Sequence, residues 1–508
     1  MKKKISRTQQ LIGIVSSRYF FAGIVVLLVL QALWIALSGR YPMAFDEDFH
    51  LGIIRLYADH LSPFWAAHPA GADSFGAITR DPSYLFHYLM SFPYKLIAVF
   101  TDNQATQVLI LRLTNISFFA AGLVLWRKAL LKTGASKAIV HTSLLLLVLI
   151  PVVPLLAAQL NYDNLLMPVM AVVLLLAVKV NQDLAKYKRV DTESLLLLII
   201  ACMAASLIKY AFLPIVLAVV GYLIWRLWHT HEGAKKLALS VGFGWTTISR
   251  SMQWLLIILL LVTGVLFAER YGVNMARYHN PVPDCAQVIS VDRCKQYGPW
   301  ARNYRIMNDP TINNSSVASY AADWFHGMWL RSFFAVDGPG TNFEAKAPLL
   351  LPGMSVIVLA VISLFALLIK GKVVWRRYDS TVLWLFSLVV ISYIGVLWLN
   401  GLQTFRELGQ SVAINGRYLV LVAPILFLIS ALAVNELFGK QRRLTISFAA
   451  LAIFCFAWGG GAATYVLRAN NAWYWPNSTV QSVNGTLRDT FGPITPGYYS
   501  PTKFLWRN

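Results

Sequence analysis

Apolar residues fill eleven stretches of about 17–25 positions with few charges, the length at which a helix crosses a hydrocarbon core of ~30 Å. They run near 19–38, 104–126, 138–158, 164–180, 193–208, 211–228, 253–269, 347–369, 380–400, 412–436 and 444–465. Three intervening or following segments, 39–103, 270–346 and 466–508, are too long for simple connections and hold most of the Pro, Asn and Asp. They read as short helices and turns without a domain-sized core. The pattern predicts an all-α polytopic membrane protein with about eleven transmembrane helices and a small cap outside the membrane.

Composition agrees. The 508 residues are 57% hydrophobic and 13% charged, whereas a soluble domain devotes about a quarter of its residues to charge. A net charge of +21 invites a nucleic-acid reading, but the distribution of the cations excludes it. With the start of the chain cytoplasmic, the stretches 1–18, 127–137, 179–192, 226–252, 370–379 and 437–443 fall inside, and they hold 24 of the 44 Lys and Arg. That asymmetry follows the positive-inside rule. The basic start precedes a long apolar run without a small-x-small cleavage site, so a retained first helix is expected rather than a signal peptide. The expectation is a multi-pass inner-membrane protein, of bacterial type, with its C-terminus and working face extracytoplasmic.

Of four cysteines, Cys202 and Cys455 fall in spans as small core residues. Cys285 and Cys294 share an outer loop, where an oxidising compartment favours a disulfide.

Candidate chemistry gathers at the outer face. Asp46, Glu47, Asp48 and His50 directly follow the first span, ahead of an amphipathic pattern that places Phe49, Ile53, Leu56, Tyr57 and Leu61 on one stripe. This predicts a helix lying on the membrane surface with the acids at its N-terminus, where the helix dipole favours carboxylates. Asp46 as a simple helix cap is the plainer alternative. Arg112, Lys209 and Arg417 lie near the outer ends of spans, where cations are under-represented. Each alone reads as a snorkelling anchor; together, facing acids, they suit an anionic lipid headgroup or phosphate. Asn161-Tyr162-Asp163-Asn164 adds a carboxylate at the same depth, with ordinary turn chemistry as its alternative.

The order of these motifs resembles the GT-C class of integral-membrane glycosyltransferases, which use polyprenyl-phosphate sugars as donors. The residues carrying the resemblance are Asp46-Glu47 and His50, Arg80-Asp81-Pro82-Ser83-Tyr84 before a second interfacial helix at 84–100, the Asn161–Asn164 turn, Lys209-Tyr210 ahead of Leu213-Pro214, and Gly416-Arg417-Tyr418. It covers roughly 19–225 well, and beyond 230 rests on Gly-Arg-Tyr and helix count. It implies a catalytic-type module over 1–225, a variable transmembrane module over 226–465 and an extracytoplasmic tail at 466–508. It further implies a carboxylate base in the first outer loop, with Asp46 chosen and Glu47 beside it. Lys209, Tyr210, Arg417 and Arg112 would meet the donor phosphate, and Asp48, His50, Arg80, Asp163 and Tyr418 the rest of the substrates. The Asp-Glu-Asp opening departs from the family pattern and leaves the identity of the base open among the three.

The chemistry suits these residue types. A carboxylate takes the acceptor hydroxyl's proton, cations stabilise the departing phosphate, and a single displacement inverts the anomeric centre. No cofactor is expected, and a divalent metal among Asp46, Glu47 and Asp163 is weighed and not favoured. The partners implied are a polyprenyl-phosphate-linked sugar, a glycan, lipid or protein acceptor, and the bilayer, with no nucleic acid. The rivals are a transporter or flippase for an anionic lipid-linked glycan, against which internal repeats and midplane helix breaks are missing from the sequence, and a non-catalytic assembly scaffold, which leaves the acid cluster unexplained.

Overall fold

The computed structural model describes residues 6–231, 234–309, 316–337, 344–439 and 441–498. The Met1–Lys4 start, the tail end at 499–508 and parts of the 270–346 loop lie outside the described residues. The described chain is helical apart from an antiparallel ribbon pairing Ala335–Asp337 with Glu344–Lys346.

Among the described residues, seven helices are long and apolar enough to cross a membrane: Arg18–Ser38, Gln104–Leu131, Tyr162–Tyr187, Tyr210–Thr230, Arg250–Tyr278, Leu350–Arg377 and Ser380–Leu408. The other four apolar runs give shorter helices, for local reasons. Pro151 and Pro154 lie in the run at 138–158, which divides into Lys137–Val148 and Val152–Ala157. Thr192–Ile208 has 17 residues. In the run at 412–436, Asn415 opens a 3-10 turn over Gly416–Leu421, and a helix begins again only at Ala423, with Pro424 in its first turn. Arg442–Ala457 ends just before Gly459 and Gly461, both left-handed.

Glycine sets how closely two central helices pack. A Cβ on Gly122 would stand 3.0 Å from Met167 Cβ and 3.1 Å from the Pro168 nitrogen, so Gln104–Leu131 and Tyr162–Tyr187 meet nearly backbone to backbone. The apolar core running through both helices also takes in residues of Arg18–Ser38, Lys137–Val148 and Ala423–Phe438.

The loop after the first span differs from the amphipathic expectation. Its helix, Glu47–Ala58, buries Glu47, His50, Leu51, Ile53, Ile54 and Tyr57 on more than one side, and Leu61 lies beyond its end and exposed. The helix is wedged into the protein rather than laid on a surface, because Leu51 and Ile54 join the main core while Ile53 and Tyr57 join a second cluster with Trp65, Tyr84 and Tyr271. The second loop helix, Leu85–Phe100, packs beside it. The tail closes over the entry to this loop, the Trp475 amide donating to the Ser38 carbonyl and the Arg40 amide to that of Trp473, at 3.0 and 2.8 Å.

Candidate active site

Asp46 occupies the N-cap position of Glu47–Ala58 but makes no side-chain cap. It and Phe45 both have left-handed backbones, with φ of 69° and 70°, a conformation costly for a bulky residue and typical of strained functional turns. The strain is held from outside. Arg417 Nη1 donates to the Phe45 carbonyl at 2.9 Å and its Nη2 to Asp46 Oδ2 at 2.8 Å, while Asn161 Nδ2 reaches the same carbonyl at 3.4 Å. The Asp46 side chain keeps 49% exposure, against 6% for Arg417. Arg417 Nε is buried with no hydrogen-bond partner.

Lys209 stands between Thr192–Ile208 and the next helix, its Nζ 2.6 Å from Asp163 Oδ1. The ammonium lies 4.6 Å from the Tyr162 ring centroid and 5.2 Å from that of Tyr418, and the Arg417 guanidinium lies 5.4 Å from the same Tyr418 ring. Tyr418 thus sits beside both cations, and Tyr393 fixes its backbone by donating to the Tyr418 carbonyl at 3.1 Å. Asp163 Oδ2 is buried and unpartnered. The Asn161 side chain accepts from the Asp163 amide at 2.9 Å, and Asn115 Oδ1 accepts from Asn164 Nδ2 at 3.1 Å, so the Asn-Tyr-Asp-Asn segment opens a helix tied into the core. Gly416 is required beside Arg417, since a Cβ there would collide with Ser332 Oγ and the Met328 carbonyl.

Glu47 and Arg112 stand apart from this constellation. Both are fully buried, and Arg112 Nε and Nη2 donate to the two Glu47 oxygens at 2.8 and 2.7 Å. The Met43 and Leu160 amides also donate to Glu47, and Arg112 Nη1 donates to the Ala36 and Gly39 carbonyls. Both groups are held by several protein partners, an arrangement that suits joining the loop after the first span to the neighbouring helices.

His50 Nδ1 lies 2.8 Å from His87 Nε2, and His87 Nδ1 lies 3.2 Å from the Ser83 carbonyl. A carbonyl only accepts, so His87 carries its proton on Nδ1, His50 donates to His87, and the lone pair of His50 is on Nε2. Burial pushes both imidazoles below their ordinary range, and for His50 the neighbouring His87, Arg417 and Lys209 add to it. Burial pushes Asp48 up, and its Oδ1 is buried without a partner. Arg80 pairs with Glu269 from the Arg250–Tyr278 span and is committed there. Tyr210 is exposed, its amide accepted by Ser83 Oγ at 3.0 Å. Cys285 and Cys294 are bonded, with Cα atoms 5.9 Å apart.

The chain therefore brings Asp46, Arg417, Tyr418, Lys209 and Asp163 together, sets Glu47 with Arg112 beneath them, and directs Arg80 elsewhere. Among the described residues no three His, Cys, Asp or Glu side chains converge on a cation position. Asp46, Glu47 and Asp163 are each committed to a different basic residue. The residues that local motifs pass over are Tyr393 and His87. A histidine inside an apolar helix, as His87 is, is the one available signal.

The sequence matches no protein-family model and no curated protein. Among solved structures it is similar to the crystal structure of ArnT from Cupriavidus metallidurans bound to undecaprenyl phosphate, with 14% identity and a TM-score of 0.31, over 94% of this chain and 91% of that one.

Proposed function

We propose that the protein is a membrane glycosyltransferase that moves a sugar from a polyprenyl-phosphate donor to an acceptor hydroxyl outside the cytoplasm. The observation that supports this best is the pairing of two nearly buried cations around one tyrosine ring, with the Arg417 Nε donor unpartnered and a half-exposed carboxylate, Asp46, bound to the same arginine. A buried donor left unsatisfied on one of two neighbouring cations suits an anion better than a neutral sugar.

In this reading the acceptor oxygen attacks the anomeric carbon, the bond from that carbon to the phosphate oxygen breaks with its electron pair leaving on phosphate, and Asp46 takes the hydroxyl proton. Lys209 and Arg417 stabilise the polyprenyl phosphate formed. The displacement inverts the anomeric carbon. No metal or cofactor takes part, Tyr418 and Tyr162 flank the phosphate, and His50 and Asp163 border the sugar and acceptor side. Glu47 and Arg112 hold the loop. The acceptor is a glycan, lipid or protein.

The test is release of polyprenyl phosphate from a polyprenyl-phosphate sugar by purified protein. Lys209→Ala and Arg417→Ala should each weaken binding of the lipid phosphate by ~2–5 kcal/mol. Movement of intact donor across the bilayer without release would favour a flippase.

A further inference from the structure

Arg417 is shared. Its Nη1 and Nη2 hold Phe45 and Asp46, while its Nε is buried and unpartnered and its guanidinium lies 5.4 Å from the Tyr418 ring that Lys209 also approaches. Lys209 already has Asp163, so each of these two cations faces a carboxylate before any ligand enters. A phosphodiester donor brings one negative charge, and the monoester that leaves carries a second. An unrelieved second charge in a desolvated site is costly.

We propose that Arg417 is a switched counterion: it pairs with Asp46 while that carboxylate is ionised and passes to the leaving phosphate as Asp46 takes the acceptor proton. This rests on the glycosyltransferase reading and adds a coupling to it. The balance closes within the site. As the oxygen–hydrogen bond of the acceptor breaks, its proton goes to Asp46, whose charge goes from −1 to zero. As the bond to the anomeric carbon breaks, its electron pair stays on phosphate, whose charge goes from −1 to −2. Net charge is unchanged, and the guanidinium released by one event meets the anion made by the other. The half-exposed Asp46 can turn away once neutral, whereas Arg417 keeps its hold on the Phe45 carbonyl and need only redirect Nη2 and use the idle Nε.

Asn at position 46 imitates the protonated acid. Undecaprenyl phosphate, the dianionic form of such a leaving group, is the probe, measured on full-length protein in nanodiscs with undecaprenol as the uncharged control. Asp46→Asn should bind the phosphate roughly tenfold tighter than wild type, with undecaprenol unaffected. In an Arg417→Gln background the same substitution should gain nothing, because the competition it relieves is gone. Asp46→Ala, which also removes the charge, should reproduce the gain and serves if the Asn variant does not fold. Equal or weaker binding by the Asp46 variants, with Lys209→Ala and Arg417→Gln both weakened, would overturn the switch and leave the phosphate site standing. Affinity unchanged in both cation variants would instead overturn the glycosyltransferase reading beneath it.

Discussion

Glu47 and Arg112, 65 positions apart, close on each other through two nitrogens and two oxygens with neither side chain reaching solvent. Glu47 is adjacent to Asp46 in sequence, yet its oxygens face Arg112 and also take two backbone amides. Removing one partner of such a pair typically costs about 3–5 kcal/mol, because the other charge is left buried alone. Glu47→Gln and Arg112→Ala should therefore lower the yield of monodisperse protein and its melting temperature in detergent. If Glu47→Gln instead stays as stable as wild type but loses transfer, Glu47 acts in the chemistry.

Asp46→Asn should behave in the opposite way. The wild-type carboxylate makes no helix cap, so its loss leaves the helix start unharmed. Transfer should fall by about 10²–10⁴-fold, the usual worth of a general base, with protein level and melting behaviour near wild type. Turnover on membranes supplied with donor and acceptor decides it. Near-normal rates would move the base to Asp48, whose carboxyl burial pushes up.

The two stacked imidazoles predict a pH dependence. His50 and His87 are held below the ordinary histidine range, His87 at about 3. The folded protein thus declines protons that the unfolded chain accepts below about pH 6.5, so stability is complete above that pH and is lost as pH falls. The slope approaches about 1.4 kcal/mol per pH unit for each imidazole. Thermal unfolding between about pH 7.5 and pH 5 should show it, and the His50→Phe/His87→Leu pair should flatten it. An unaltered slope in that variant would remove these residues from the account.

The Cys285–Cys294 bond closes a loop across a separation of nine residues. A bridge over so short a loop contributes on the order of 2–3 kcal/mol, felt locally. Alkylation of protein from native membranes should label neither thiol until reductant is added; complete labelling without it would refute the bond.

What the sequence conveys here is what local pattern determines. Long apolar runs, the helix near 84–100 and the acids after the first span are all properties of neighbouring residues. Span lengths at 138–158 and 444–465 were harder to read, because hydropathy averages over Pro151, Pro154 and the Gly459–Gly461 turn, which end helices within the run. The choice of partners was not legible. Arg112, Lys209 and Arg417 look alike at the ends of apolar segments, and only packing assigns the first to Glu47, the second to Asp163 and the third to Asp46. The flanking of Tyr418 by two cations likewise depends on how the 3-10 turn at Gly416–Leu421 meets a lysine some two hundred positions earlier.

The tail that clasps Ser38 and Arg40 bears on biogenesis. A chain is made from its N-terminus, so the loop after the first span is present long before the segments that fix it. Arg417 follows Asp46 by 371 positions, and the Trp473–Trp475 clasp comes later still. Of the contacts described for the Phe45–Asp46 turn, the one from Asn161 Nδ2 is available early, whereas both from Arg417 come late. The Arg417 contacts to Phe45 and Asp46 thus form only after most of the described chain has been made.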